Sequence, residues 1–360
     1  MLNFQCSIFR LTINTLKMKN GLARFDYYLT QLQELLIKSS KQKNPALWLY
    51  QHNARATLFM LEGLAKLYAG IHNKNKFSKI KEHFKLLEDA IGQIDYYDAF
   101  AKEFSAGKKV PATVTNYLQA QSREKIQSLN ELLKEKGWLG EAGNRIEKIR
   151  KKLKKADWQG EKDEVKSIQQ FYITAINKIL EFINEKDFHF TDVETNVHEF
   201  RRMIRWLSIY PQALRGCVQV SKSKAATPKY LTKYLTETII NSPYNTLPDA
   251  ADLKHFLLFD KNRFYALSWM IAELGNLKDS GLRVEVIKEA LLQTSPQAPA
   301  KGAQPKSKPH ENESLAKAHT LAGAGQKTIP QILTAAENIC KTFCKEKNLE
   351  GLIVGIAATK

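Results

Sequence analysis

The sequence lacks the local motifs of most familiar enzyme sites. It contains no glycine-rich phosphate loop, no His-Glu-x-x-His pair, no nucleophile elbow and no dense set of carboxylates for divalent metals. Some acidic residues do lie close together in the chain, such as Asp95 with Asp98, and Glu161 with Asp163 and Glu164. We interpret them as helix-end or surface charges. These absences favour a protein that binds without catalysing a reaction, and they predict neither a cofactor nor a metal.

Cysteine is scarce, with Cys6, Cys217, Cys340 and Cys344 in the whole chain. No second pair or suitable histidine pair accompanies Cys340 and Cys344, so reduced thiols in a reducing, cytoplasmic setting are favoured over a metal site. No apolar run approaches the about 20 residues that span a bilayer. Residues 1–20 lack a secretory signal pattern and are interpreted as an extension, disordered or a misassigned start, with a weak organelle or membrane-surface leader left open.

The composition is strongly basic. Lysine and arginine total 55 residues against 37 aspartates and glutamates, which gives a formal net charge of +18. Such an excess favours an acidic partner, whether nucleic acid, a polyphosphate or an anionic membrane surface. Charge alone does not choose among these partners.

The hydrophobic pattern predicts an all-α helical bundle. Apolar residues recur at intervals of three and four through residues 21–293, with almost no sustained alternation of period two. Turn-forming residues divide this region into ten expected helices, near 22–42, 45–70, 77–104, 112–136, 141–155, 161–186, 193–214, 228–240, 249–259 and 262–292.

The composition changes abruptly after the helical region. Residues 294–330 are rich in proline, alanine and lysine and begin without large apolar residues, which predicts a flexible linker. Residues 331–360 form a short C-terminal segment with a helix expected near 330–348. Its final Gly-Leu-Ile-Val-Gly-Ile-Ala-Ala run either forms an edge strand or packs loosely on the bundle. These boundaries leave residues 21–293 as the folded domain.

The most informative segment is a helix with a basic stripe. Four cation-capable side chains occur at positions i, i+3, i+4 and i+7: His198, Arg201, Arg202 and Arg205. At this spacing they share one helix face, while apolar residues on the opposite face can dock the helix into a core. The stripe has one sign, so its members repel one another, and its arginines offer a planar fork that suits phosphate oxygens. We therefore expect an anion site; a merely solvated face is the alternative.

A weaker copy of this pattern occurs earlier in the chain. In each copy a His-x-x-Arg helix is followed by an apolar-Gly-x-apolar run and then an aspartate. The two copies are His52-x-x-Arg55 with Ile91-Gly92-Gln93-Ile94-Asp95, and His198-x-x-Arg201 with Leu274-Gly275-Asn276-Leu277-Lys278-Asp279. The repeated order implies a duplicated helical unit, with half 1 over 21–136 and half 2 over 161–293.

This order of motifs resembles the conserved-histidine α-helical domain (CHAD) family. Members of that family have two pseudo-symmetric helical halves, each with a His-x-x-Arg helix and a later Leu-Gly-x-hydrophobic-x-Asp signature. The resemblance covers residues from about 20 to 293 and is best in the second half, through His198, Arg201, Arg202, Arg205 and residues 274–279. It implies noncatalytic binding of inorganic polyphosphate in a basic surface or groove between the halves.

The first half departs from the family pattern. The positions that match Arg202 and Arg205 are Ala56 and Phe59, so we expect the second half to dominate binding, with the first-half His-x-x-Arg pair as a weaker counterpart. Other cations extend the candidate surface, although each also fits a plain surface position: Lys81 and Lys85 in the first half, and Arg215, Lys222 and Lys224 in the second. His198 is interpreted as a phosphate donor whose affinity rises as pH falls through ~6.5; a structural bond to a neighbouring group is the alternative.

Two further interpretations concern the rest of the basic surface. The dense cluster over 145–155 lies on both sides of its helix and is interpreted as a solvated connector with nonspecific anion affinity. The alternative function for the whole protein is a helical nucleic-acid-binding or protein-interaction scaffold. Aromatic residues do not decide between the functions, because their core-like spacing favours packing over base stacking.

Overall fold

The predicted all-α class is confirmed. The computed structural model describes residues 20–107, 109–140, 144–221, 227–295, 308–323 and 325–358. Its α-helices are α1 (Asn20–Ser40), α2 (Pro45–Gln51), α3 (Ala54–Ile71), α4 (Lys74–Gly107), α5 (Ala112–Glu135), α6 (Arg145–Lys154), α7 (Glu161–Asn184), α8 (Glu199–Ala213), α9 (Glu237–Ile240), α10 (Lys261–Thr294), α11 (Lys308–Ala322) and α12 (Ile329–Lys345). A π-helical turn covers Val193–His198, and short 3-10 helices cover Lys229–Tyr234 and Pro243–Asn245. Among these described helices, none is long and apolar enough to cross a membrane.

One connected hydrophobic core joins both ends of the described chain. It runs from Phe25 in α1 to Leu352 after α12, and it includes the apolar faces of α3, α4, α7, α8 and α10. The C-terminal segment belongs to this core, because Ile332 and Phe343 of α12 are fully buried. The three-and-four spacing of apolar residues produces these faces, and their burial removes apolar surface from water.

The centre of the core contains a charged triad. Arg24 of α1 donates to Tyr68 Oη at 2.8 Å and to Glu164 Oε2 at 2.7 Å, and Tyr68 donates to Glu164 Oε1 at 2.7 Å. Glu164 lies in the first turn of α7, so it is a helix-end charge as predicted, but at 1% exposed it is not a surface charge. The reason is tertiary: α1 and α3 cover the first turn of α7, and the arginine and tyrosine they carry compensate the buried carboxylate.

A small sheet interrupts the helical architecture. Strand β1 (Val218–Val220) pairs in parallel with β2 (His255–Phe259), which pairs antiparallel with β3 (Ile353–Ala358). The helix expected over 249–259 is therefore wrong, because apolar residues occupy both faces of β2 and hide the alternation that marks a strand. At the C-terminus, the edge-strand alternative is confirmed by β3.

The expected linker contains a packed helix. Residues 308–322 form α11, and its Ala318 is fully buried against a second hydrophobic cluster with Leu315 and Leu321 at its margin. The prediction of a linker over 294–330 is thus wrong for this stretch. Three apolar positions three residues apart make too narrow a face for an independent helix, but α10 supplies the surface that covers them.

Helix α8 is anchored as its pattern predicts. Phe200, Ile204 and Leu207 are buried on its inner face. The helix continues through Pro211, whose missing N–H frees the Leu207 carbonyl; the Tyr172 hydroxyl donates to that carbonyl at 3.4 Å. This anchoring presents the opposite face of α8, with its arginines, to the space between α3 and α10.

Candidate anion site

A groove lies between α8 and the helices of the first half. This central groove is a cavity of about 730 Å³ bounded mainly by α3, α4, α8 and α10, with the ends of α2 and α9. The charged residues of its described lining are Arg55, Asp95, Arg201, Arg205 and Lys278. Four cations thus face one carboxylate, and the two copies of the His-x-x-Arg motif contribute arginines to the same cavity.

Each motif arginine packs against the motif glycine of its own half. A Cβ on Gly92 would lie 2.7 Å from Arg55 Nη2, and a Cβ on Gly275 would lie 3.0 Å from Arg201 Nη2. A side chain at either position would therefore push the guanidinium away from the helix, so glycine favours this close approach. In both halves the arginine Nε donates to the residue four positions before the glycine, which is Glu88 at 2.7 Å in the first half and the Ile271 carbonyl at 3.1 Å in the second. This local equivalence explains why arginine and glycine recur together; the predicted pseudo-symmetry of the whole halves stays a prediction.

The first-half arginine is already neutralised. Arg55 Nε lies 2.7 Å from Glu88 Oε1, and Arg55 Nη1 lies 3.0 Å from Asp95 Oδ2. Its charge is therefore balanced by two carboxylates of α4, and little of it remains for a ligand. The first half is expected to bind an anion weakly because Ala56 and Phe59 replace two arginines of the stripe. The neutralisation of Arg55 is a second cause.

The second-half arginines are not balanced in this way. Arg201 bonds a backbone carbonyl, and no carboxylate of the described residues forms an ion pair with Arg205. The Arg205 guanidinium instead lies 4.5 Å from the ring centroid of Phe59, which Arg55 also contacts at 5.3 Å. Burial lowers the pKa of Arg205, and the charges of Arg201 and Arg55 lower it further, while Glu88 raises it. The groove thus concentrates repelling charge, which an anion would relieve.

Lys278 completes the cationic wall, and the sequence reasoning did not assign it to the site. Its side chain is 19% exposed, and burial together with Arg201 and Arg205 lowers its pKa, against the opposing effect of Asp279. Lys278 follows Gly275 by three residues, as Asp95 follows Gly92. The same offset from the motif glycine therefore carries an ammonium group in one half and a carboxylate in the other. Comparison of these offsets in the sequence is the signal that could have found it.

His198 lies beside the groove and outside its lining. Its Nδ1 is buried without a hydrogen-bond partner, and its Nε2 lies 3.9 Å from Glu194 Oε1. Burial lowers the pKa of His198, and Lys278, Arg201 and Arg202 lower it further, while Glu194 raises it. The sequence interpretation assumed an ordinary pKa, so any gain of charge at this histidine is displaced to lower pH.

Arg202 points away from the groove. Its Nη2 lies 2.6 Å from Glu199 Oε2, and its charge acts instead on Lys66 of α3. Lys66 packs over the ring of Trp206, and its pKa is lowered to about 8 by burial, with Arg202 and Lys81 adding to the effect. The basic stripe is thus divided, because Arg201 bonds α10 and Arg205 packs on Phe59 of α3 inside the groove, whereas Arg202 pairs with Glu199 on the exposed side of α8.

The remaining candidate residues that the structure describes are not brought into the groove. His52 stacks on Trp48 with 3.7 Å between ring centroids, at the point where Asn53, in the left-handed region, divides the expected helix 45–70 into α2 and α3. Arg215 packs over Tyr27 at 3.3 Å. Two α4 lysines bond acids of their own helix: Lys81 lies 3.1 Å from Glu82 and Lys85 lies 2.6 Å from Asp89. Lys222 and Lys224 lie outside the described residues.

Buried carboxylates behind the groove couple the stability of this region to pH. Glu62 of α3 is 5% exposed, and burial, reinforced by Glu88, raises its pKa to about 7. Because the pKa in the folded state exceeds the ordinary glutamate value of 4.5, the protonated carboxyl stabilises the fold fully below pH 4.5 and loses this effect as pH rises through 7. We expect this group to lower the free energy of unfolding of the unmodified protein by about 2 kcal/mol between pH 5 and pH 8. Glu62→Gln should abolish that part of the pH dependence. Urea unfolding at both pH values measures it; equal pH dependence in both proteins would contradict it.

Comparisons with protein-family models, curated proteins and solved structures found no match to this chain. The geometry of the central groove therefore provides the main evidence about function. Within the described ranges, no group of three or more His, Cys, Asp or Glu side chains is arranged to hold a metal ion.

Proposed function

We propose that the protein binds inorganic polyphosphate, or a similar polyanion, in the central groove without catalysing a reaction. The observation that carries the proposal is the convergence of Arg201, Arg205 and Lys278 in one cavity. Neither arginine forms an ion pair with a carboxylate of the described residues, and Lys278 lies 3.9 Å from the exposed carboxylate of Asp279. Arg55 contributes from the opposite wall, although its charge is largely compensated. The resemblance of the motif order to the CHAD family supports the same function.

A flexible chain of phosphates fits this cation arrangement better than a base-reading interface does. The guanidinium groups present planar donors to charged oxygens, and their positions are fixed by glycine contacts and by the Phe59 ring. The groove lining offers cations, hydroxyls, amides and apolar side chains, and its exposed aromatic surface is limited to the Tyr50, Phe59 and Tyr244 side chains. Binding to such a wall requires charge density and a flexible backbone, and it requires no base readout.

The test is a comparison of long-chain polyphosphate and single-stranded RNA at matched charge concentration over a range of salt. We expect polyphosphate to bind more tightly and to displace RNA. We expect Arg205→Gln to reduce polyphosphate affinity about 10-fold, since a charge-assisted hydrogen bond contributes about 1.5–3 kcal/mol. The salt dependence should also become shallower by nearly one counterion.

Arg202→Gln is the matched control, because it removes the same charge from the same helix on the side away from the groove. We expect it to change the affinity less than about twofold, as exposed ion pairs contribute little. Tighter binding of RNA than of polyphosphate would favour the nucleic-acid alternative. Equal losses in the two variants would remove the groove as the site, provided that circular dichroism shows both to be folded.

A further inference from the structure

A second concentration of positive charge lies on α6, away from the groove. A cavity of about 260 Å³ between α4 and α6 has Ile149 in its wall, and we call it the α6 cup. Its titratable lining residues are His83, Arg145, Lys148, Lys151, Lys152 and Lys155. None of the residues that line this cup lines the central groove.

The structure separates this cluster into two parts with different roles. Arg150, on the side of α6 that faces α1, bonds Asp26 at 2.9 Å and Glu147 at 2.8 Å and also reaches Thr30 and Gln33. It anchors the helix, together with the buried Ile146 and Leu153. The other cations of the cluster, apart from Lys154, line the cup. The sequence interpretation placed cations on both sides of this helix, and the lysines that line the cup are exposed to solvent.

The charges of the cup are uncompensated. Its described lining contains no carboxylate, and none of its five lysine and arginine side chains forms an ion pair with a described residue. Lys76 adds a sixth cation at the rim, where its Nζ donates to the Lys155 carbonyl at 3.2 Å. The helix dipole accounts for lysines in the last turn of α6, but it disfavours cations at the start of the helix, where Arg145 and Lys148 lie.

The pKa of His83 depends on the positive charges around the cup. Burial lowers its pKa, and Arg145 and Lys152 lower it further, while Glu82 acts in the opposite direction. The imidazole on the α4 wall therefore experiences the positive charge of the α6 wall directly. An anion between the two walls would reverse that effect, because it would stabilise the protonated ring.

We propose that the α6 cup is a second anion site, separate from the central groove, that takes a short chain of linked phosphates. Five cations around a small cavity suit a compact ligand with several charges better than a single carboxylate, and lysine ammonium groups bind phosphate oxygens as point charges. Free oligophosphate, the end of a longer polyphosphate and the triphosphate of a nucleotide share this chemistry. The site depends on none of the groove residues, so it stands or fails independently of the proposed function.

The first test uses the unmodified full-length protein and observes His83 directly. Tripolyphosphate is titrated at low salt while the ring resonances of His83, assigned with His83→Gln, are followed by NMR over pH. We expect saturable shifts and a rise of the His83 pKa by about half a unit or more, as a nearby opposite charge favours the charged ring. A His83 resonance that ignores saturating tripolyphosphate would overturn the proposal. A parallel titration with ATP distinguishes a free oligophosphate from a nucleotide triphosphate as the preferred source.

The second test uses calorimetry with tripolyphosphate to compare a cup variant with a charge-matched lysine control and with a groove variant. The cup variant is Lys148→Gln/Lys151→Gln/Lys152→Gln, the groove variant is Arg201→Gln/Arg205→Gln, and the control Lys38→Gln/Lys41→Gln/Lys43→Gln removes three exposed lysines near the α1–α2 turn. We expect the cup variant to lose about 10-fold or more in the binding event that shifts His83, and the other two to retain it. An equal loss in the lysine control would reduce the effect to net charge and reject the site. Loss in the groove variant alone would place all binding in the groove.

Discussion

Lys278→Asp should reduce the affinity for long-chain polyphosphate about 30-fold or more at low salt, since it removes one charge-assisted contact and adds a repelling carboxylate. The new carboxylate would lie among Arg201, Arg205 and Asp279, the groups that now act on the Lys278 ammonium. It would partly neutralise the arginines of the second half, as the carboxylate of Asp95 partly neutralises Arg55 in the first half. Fluorescence anisotropy with labelled polyphosphate at two salt concentrations measures the loss.

Two further variants make this result specific. Lys341→Asp makes the same change of charge at an exposed position of α12 outside the groove, and we expect it to alter the affinity less than about twofold. Asp95→Asn should act in the opposite direction and raise the affinity about threefold, because it releases one Nη group of Arg55 to the ligand. If Lys278→Asp and Lys341→Asp weaken binding equally, the position of Lys278 in the groove has no role and only the net charge of the protein matters.

Glu164→Gln should destabilise the protein by about 3–5 kcal/mol, the cost of leaving one member of a buried ion pair without its partner. Arg24 is 4% exposed, and its remaining partners in the triad, the Tyr68 hydroxyl and the new amide oxygen, would carry no negative charge. Because the triad joins α1, α3 and α7, the loss should lower the midpoint of urea unfolding without changing the slope strongly. Equilibrium unfolding followed by far-UV circular dichroism provides the measurement.

Asp163→Asn is the matched control, one residue earlier on the same turn of α7. The Asp163 side chain is 75% exposed, and its nearest cation, Lys166 Nζ, is 3.9 Å away, so we expect a change below about 0.5 kcal/mol. The double variant Arg24→Met/Glu164→Leu should be more stable than Glu164→Gln alone, as it leaves no uncompensated buried charge. A Glu164→Gln protein as stable as Asp163→Asn would show that water or a structural shift compensates Arg24.

The sequence predicted those features that depend on residues close together in the chain. Helix α8 is an example, since helical periodicity is a local property. The spacing of Phe200, Ile204 and Leu207 predicts its buried face, and the spacing of Arg201 and Arg205 places them on the opposite, groove-lining face. The strand at His255–Phe259 was missed because its identity depends on β1 and β3, which are distant in the chain. Helix α11 was missed because its narrow apolar face is stable only against α10.

For the candidate site, the sequence by itself determined the residue types and their order: a basic stripe, a weaker copy, and a glycine element after each. Only the tertiary structure decided which cations meet. It placed Arg201 and Arg205 beside Lys278 and paired Arg55 with Glu88 and Asp95, whereas the Arg202–Glu199 pair is local to α8. The physical reason is that electrostatic energy depends on distance and burial in three dimensions, and helical spacing specifies only the face on which a charge begins.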